Sequence, residues 1–141
     1  RLLNANTAGY ANIKQLNAAL WTGNVPVSMR VSSVGDWAAR IVPGQTASVL
    51  ALALQEILAF SKWERADWLK CDIEGGEISI ITKDTLLEVA GRIKSWFVEV
   101  HATPSASIQD NRERINEVFR SCDYEVENFR TDVIYAKIKN N

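Results

Sequence analysis

The amino-acid sequence predicts an α/β domain with a parallel strand–helix–strand unit at its centre and an antiparallel hairpin at its end. Three observations predict it. Short apolar runs alternate with amphipathic stretches along the chain. Two strand-like runs, Trp68–Ile73 and Trp96–Val100, are separated by a helical stretch, the length of connection that parallel strands require. Two later runs, Tyr124–Phe129 and Val133–Ile138, are joined only by Arg130-Thr131-Asp132, short enough for a hairpin.

The elements follow in order. Arg1–Tyr10 reads as the end of a helix, with Gly9 as its stop signal. Ala11–Leu20 contains a strand-like run at Ile13–Leu16, and Trp21–Asn24 reads as a turn. Val25, Val27, Met29 and Val31 alternate with other residues, which predicts a half-buried strand. Trp37–Val42 is its expected partner after a Gly35-Asp36 turn, and Pro43-Gly44 breaks the chain again. Ala47–Leu52 reads as a short strand and Leu54–Phe60 as a short helix. Glu74-Gly75-Gly76-Glu77 is a tight turn after the Trp68–Ile73 strand. Glu77–Lys94 is expected to be mostly helical, broken near Lys83-Asp84, with Leu86, Leu87, Ala90 and Ile93 on its buried face. Ser107–Cys122 is an amphipathic helix whose stripe is Ile108, Ile115, Val118 and Phe119.

Composition narrows the function classes. The 141 residues make one domain, 1–141, with 47% hydrophobic and 23% charged residues, which excludes a disordered or low-complexity chain. Sixteen basic against 17 acidic residues give a net charge of −1, against a dedicated nucleic-acid binder. The longest apolar stretch, Ala47–Leu54, is far shorter than the roughly 20 residues of a membrane span. Cys71 and Cys122 have neither metal-site nor disulfide-framework spacing, so a reducing, cytoplasmic setting is expected. The chain opens on Arg1 and its sole methionine is Met29, so it reads as part of a longer polypeptide.

Polar residues gather at the carboxyl ends of the two central strands, where open α/β sheets bind ligands. The first strand delivers Asp72 and Glu74 there, and the second delivers Glu99 and His101. Alternation puts Lys70, Asp72 and Glu74 on one face of the first strand, and Glu99 with His101 on one face of the second. A lysine inside a central parallel strand needs a partner, and Asp72 or Glu99 is the expected one. Lys70 then reads as an ion-pair strut, and Glu77 as an acid favoured by the first turn of a helix. Trp63, Trp68 and Trp96 read as packing residues. The carboxylates and imidazole could hold a divalent metal, but no spacing demands one and none is expected.

Leu69-Lys70-Cys71-Asp72-Ile73-Glu74-Gly75-Gly76-Glu77 resembles the Leu-Lys-x-Asp-x-Glu-Gly-x-Glu motif of the FkbM family of S-adenosylmethionine-dependent methyltransferases, with every fixed position matched. Asn17-Ala18-Ala19-Leu20 resembles the family's segment after its third core strand, and Phe97-Val98-Glu99-Val100-His101 resembles its next strand, which often ends in Glu-x-His. The closing hairpin resembles the paired strands that finish a class I methyltransferase sheet. The resemblance spans nearly the whole chain. It implies a Rossmann-like, mostly parallel sheet with a carboxy-terminal antiparallel hairpin, lacking its amino-terminal strands.

The activity it implies is methyl transfer to a hydroxyl of a sugar, another glycan or a secondary metabolite, with S-adenosylmethionine as donor. His101 is then the first choice for the base and Asp72 the second. Glu74 and Glu99 would orient the acceptor or balance the sulfonium charge, and Lys70 would strut the pair. Asp72 would also border the cofactor, and Asn17 and Ala18 would touch its adenine. One departure stands out. The family's glycine-rich cofactor loop has no counterpart, since the chain contains no Gly-x-Gly. The chain is therefore expected to bind the donor weakly or not at all, which micromolar binding by calorimetry would refute. Two other readings follow from the residues: a non-catalytic remnant or interaction module of the same fold, and a hydrolase using Asp72 and Glu74 as an acid/base pair. An exposed sheet edge would favour self-association.

Overall fold

The computed structural model describes residues 2–23, 27–32, 35–43 and 49–139. The chain opens with helix α1 (Leu2–Thr7), which ends two residues before Gly9. Strand β1 (Ala19–Leu20) follows an irregular stretch, so Ile13–Leu16 is not a strand. The reason is pairing: the Ala19 and Trp21 N–H groups donate to Leu50 and Leu52 carbonyls, and extended backbone becomes a strand only where it finds such a neighbour. Strands β2 (Val27–Ser32) and β3 (Gly35–Pro43) form the expected antiparallel pair. Gly35 and Asp36 belong to β3 rather than to the turn, and Val25, Asn24 and Gly44 lie outside the described residues. Strand β4 is only Ala51–Leu52, paired parallel with β1. Helix α2 (Leu54–Ser61) buries Leu54 and Leu58 and stops at Lys62, whose φ of 59° reverses the backbone.

The second half builds the larger sheet. Strand β5 (Ala66–Cys71) is followed by two short helices, α3 (Glu77–Ile80) and α4 (Lys83–Glu88), and then by strand β6 (Ile93–Glu99). The expected continuous helix over Glu77–Lys94 is thus corrected. Thr82 adopts extended backbone and its hydroxyl accepts the Thr85 N–H, which starts α4 as a separate helix. Gly91, at φ 72°, then turns the chain so that Ile93 and Lys94 join the sheet. Leu86 is buried as expected, whereas Leu87 is exposed. Helix α5 (Ile108–Ser121) forms where predicted, with Ser107 as its cap through the Asp110 N–H, and buries Ile115 and Phe119 of the expected stripe, whereas Val118 is half-buried and Ile108 is exposed. Strands β7 (Tyr124–Asn128) and β8 (Val133–Ile138) close the chain as a hairpin.

The sheet order is β5-β6-β8-β7. Strands β5 and β6 are parallel, and β8 runs antiparallel to both β6 and β7. Three strands therefore share one direction and β8 alone is reversed. The fold is mixed α/β, with parallel and antiparallel pairs in one sheet.

The two faces of this sheet differ. One packs on α5 and holds the core: Trp96, Val98, Ile134 and Ala136 are buried there, and Trp96 meets Phe119 of α5 edge-on at 5.6 Å. The register pairs Lys70 with Phe97 and Phe97 with Tyr135, so alternation puts Trp68, Lys70, Asp72, Phe97, Glu99 and Tyr135 on the other face. Trp68 stacks on Phe97 at 4.9 Å, and Tyr135 lies 4.9 Å beyond. Trp96 is a packing residue as expected. Trp63 and Trp68 are more than half exposed, Trp68 because the strand that carries it has one face open.

Candidate active site

The site lies where β5 and β6 end. Asp72 and Ile73 leave β5 in extended form, and the chain reverses through Glu74 and Gly75. Both turn residues have positive φ, 56° and 101°. Gly75 tolerates that conformation, and Glu74 is held in it, which aims its side chain back over the strand end. Gly76 is needed for space: a Cβ there would come within 2.9 Å of Ile73 Cδ1.

The anchor of this turn is Glu77, which is 1% exposed. Its Oε1 accepts the Ile73 N–H at 2.9 Å, and its Oε2 accepts the Gly75 N–H at 3.0 Å. The same Oε1 lies 3.0 Å from His101 Nδ1. Glu77 opens α3, in the first helical turn where the sequence reading placed it, and it is also a buried carboxylate tying the turn to His101. The signal that could have found it was the four-residue gap to Ile73, short enough for a side chain to bridge its own turn.

His101 follows the end of β6 and is held from two sides. Glu77 meets its ring, and Asn111 of α5, itself buried, donates to the His101 carbonyl at 2.8 Å. Across the gap, His101 Nε2 faces Glu74 Oε2 at 3.6 Å and Asp72 Oδ1 at 4.0 Å. Neither distance is a hydrogen bond. The imidazole and the two carboxylates remain partly open to solvent.

Lys70 sits outside this core of the site. Its Nζ pairs with Asp72 Oδ2 at 2.7 Å and lies 3.8 Å from Glu99 Oε2, so both expected partners are present. The expected burial is not: β5 is at the edge of its sheet and the Lys70 side chain is 67% exposed. The Asp72 hydrogen bond and charge, then Glu99, hold the Lys70 pKa above its ordinary value. Beneath the strand end Cys71 is buried, and burial followed by the Glu77 and Asp72 charges pushes its thiol up to about 12.

The structure therefore brings Lys70, Asp72, Glu74, Glu99 and His101 together and adds Glu77. Asn17 and Ala18 lie in the irregular stretch before β1, and among the described residues no hydrogen bond or ion pair of the cluster involves them. Donor atoms of Asp72, Glu74 and His101 fall within 4.8 Å of one another, a spacing that can also take a divalent cation. Next to the cluster, Trp68, Lys70, Phe97, Val98, Glu99 and Val133 line a pocket of about 330 Å³.

With this geometry established, the chain was compared with known proteins. The methyltransferase FkbM domain matches residues 4–126. The chain belongs to this family. The match covers both the nine-residue motif and the β6 strand end, and it makes the domain a methyltransferase domain that uses a methyl donor. Comparison with curated proteins and with solved structures gave no match. Among the described residues no helix is long and apolar enough to cross a membrane.

Proposed function

We propose that this methyltransferase domain transfers a methyl group from S-adenosylmethionine to a hydroxyl of a sugar or secondary metabolite, with His101 as the base. The observation that carries the reading is the position of His101 Nε2, at the mouth of a partly open gap and facing two carboxylates. The sheet supports it too, since one strand of its closing hairpin is antiparallel to its neighbours, as the resemblance to a class I sheet implies.

The residues suit a cationic donor. Asp72, Glu74, Glu77 and Glu99 crowd one strand edge against a single ammonium, Lys70, and this excess of negative charge complements a sulfonium. When bound, the donor would supply its methyl to the acceptor oxygen and leave as the neutral thioether. The chain's part is to present the acceptor oxygen and take its proton. His101 Nε2 would take the hydroxyl proton. Asp72 and Glu74 then stabilise the imidazolium. The aromatic-walled pocket beside Lys70 and Glu99 offers the acceptor a surface. Asn17 and Ala18 are proposed adenine contacts on the resemblance alone, and the methionine end has no glycine-rich holder in this sequence.

The test is transfer of an isotopically labelled methyl group to a panel of sugar and polyol acceptors at saturating donor. His101→Gln is expected to lower the rate by about 10²–10⁴-fold, the usual contribution of a positioned base. An unchanged rate would overturn the assignment.

A further inference from the structure

Glu77 touches no open part of the site, yet it contacts the one side chain whose proton matters most. Its Oε1 accepts the Ile73 N–H and lies 3.0 Å from His101 Nδ1, and Oε2 accepts the Gly75 N–H. A carboxylate oxygen in this position has only lone pairs to offer. The ring nitrogen opposite it must therefore carry a hydrogen. Neutral imidazole has one N–H, so a hydrogen on Nδ1 leaves Nε2 with its lone pair.

We propose that Glu77 is a positioning residue that fixes the neutral His101 ring in its Nδ1–H tautomer, so that Nε2 is the proton-accepting atom of the site. This deepens the methyl-transfer reading and rests on it for its use, though not for its test. Three features support it beyond the contact itself. Glu77 is 1% exposed, so water does not compete for the bond. Two backbone N–H groups fix the carboxylate, so it cannot swing away from the ring. Among the described residues Nε2 has no hydrogen-bond partner: the carboxylate oxygens facing it, on Glu74 and Asp72, are 3.6 and 4.0 Å away. Its lone pair is therefore not already committed. The same carboxylate shapes the turn that carries Glu74, so one buried group sets both the ring and an acid facing it.

The sequence makes the experiment unusually clean, because it contains a single histidine. The chain labelled with ¹⁵N-histidine gives one pair of ring nitrogens in long-range ¹H–¹⁵N correlation spectra. At a pH well above the ordinary imidazole value of about 6.5, the expected signature is a protonated Nδ1 and an unprotonated Nε2. A dominant Nε2–H form, or an averaged mixture in the parent chain, would overturn the proposal without any variant. Glu77→Gln keeps the side-chain shape and removes the charge. It is expected to bring in the Nε2–H form, whereas ring signals identical to the parent's would show that Glu77 acts only on the turn and would overturn the proposal. If Glu77→Gln does not fold, the parent spectrum still decides. The readout needs no turnover: the expected tautomer together with an undiminished His101→Gln rate would defeat the methyl-transfer assignment and leave the Glu77 assignment standing.

Discussion

Two acids of the nine-residue motif, Asp72 and Glu77, have the same chemistry in opposite environments. Asp72 sits at the open rim, about a third exposed, with its charge shared by a lysine that is itself in solvent. Glu77 lies five residues on, almost wholly buried, with its charge shared by two backbone N–H groups and an imidazole. The difference lies in what surrounds them. An exposed pair is screened and can rearrange, so it can meet ligands at little cost to the fold. A buried carboxylate keeps its place only while every partner stays. The motif thus joins a reactive rim to a structural anchor, and the fold should feel the second far more than the first.

The largest expected effect follows from the anchor. Glu77→Ala leaves the Ile73 and Gly75 N–H groups and the His101 ring without their acceptor. Removing one partner of such a buried arrangement costs about 3–5 kcal/mol. Urea or thermal unfolding should show it as a large loss of stability. A loss no greater than that of a surface substitution would break the contrast between the two acids of the motif.

The rim is expected to behave in the opposite way. Asp72→Asn should slow methyl transfer by about 10²-fold or more while leaving the unfolding midpoint nearly unchanged, because its oxygens meet solvent and Lys70 rather than the interior. An Asp72→Asn chain that transfers methyl groups at the parent rate would return attention to the hydrolase reading of Asp72 and Glu74.

Cysteine reactivity sharpens the same comparison. Cys71 lies under the cluster, and its thiol is pushed up to about 12 by burial and by the nearby Glu77 and Asp72 charges. Cys122, at the end of α5, is partly open. At mildly alkaline pH an alkylating reagent should modify Cys122 first. Cys71 should react on the order of 10³-fold more slowly than an ordinary thiol, since only the thiolate reacts. Mass spectrometry of the labelled peptides reads both rates at once. Equal rates would mean that the strand end opens readily.

Much of this arrangement was legible in the sequence, and the parts that were not share a physical cause. Strand alternation placed Lys70 with Asp72 and Glu99 with His101, because a period of two depends only on local geometry. The hairpin at Tyr124–Ile138 was legible for the same reason: its connection is too short for anything else. The sequence did not reveal that Lys70 would be exposed, because the position of β5 at a sheet edge depends on which strands find partners. The role of Glu77 was hidden as well. Its partners are His101, beyond the end of β6, and the backbone of the preceding turn, and no periodicity marks a carboxylate that folds back on its turn. The division of the Glu77–Lys94 stretch was missed because apolar spacing continued across Thr82, where a hydroxyl cap restarts the helix.

The smallest expected effect belongs to Lys70. Its ammonium pairs with Asp72 at 2.7 Å, but the side chain is two-thirds exposed, so solvent and salt screen the pair. Lys70→Ala should leave the unfolding midpoint close to that of the parent, and any difference should shrink as salt is added. The pH dependence has a definite sign. Asp72 and then Glu99 raise the Lys70 pKa in the folded chain, so whatever stability it adds is fully present below the unfolded value near 10.5 and is lost as pH rises through the folded one. Parent and variant should therefore converge in strongly alkaline solution and differ most near neutrality. A variant that unfolds far more easily than the parent at neutral pH would show that the rim, too, holds the fold together.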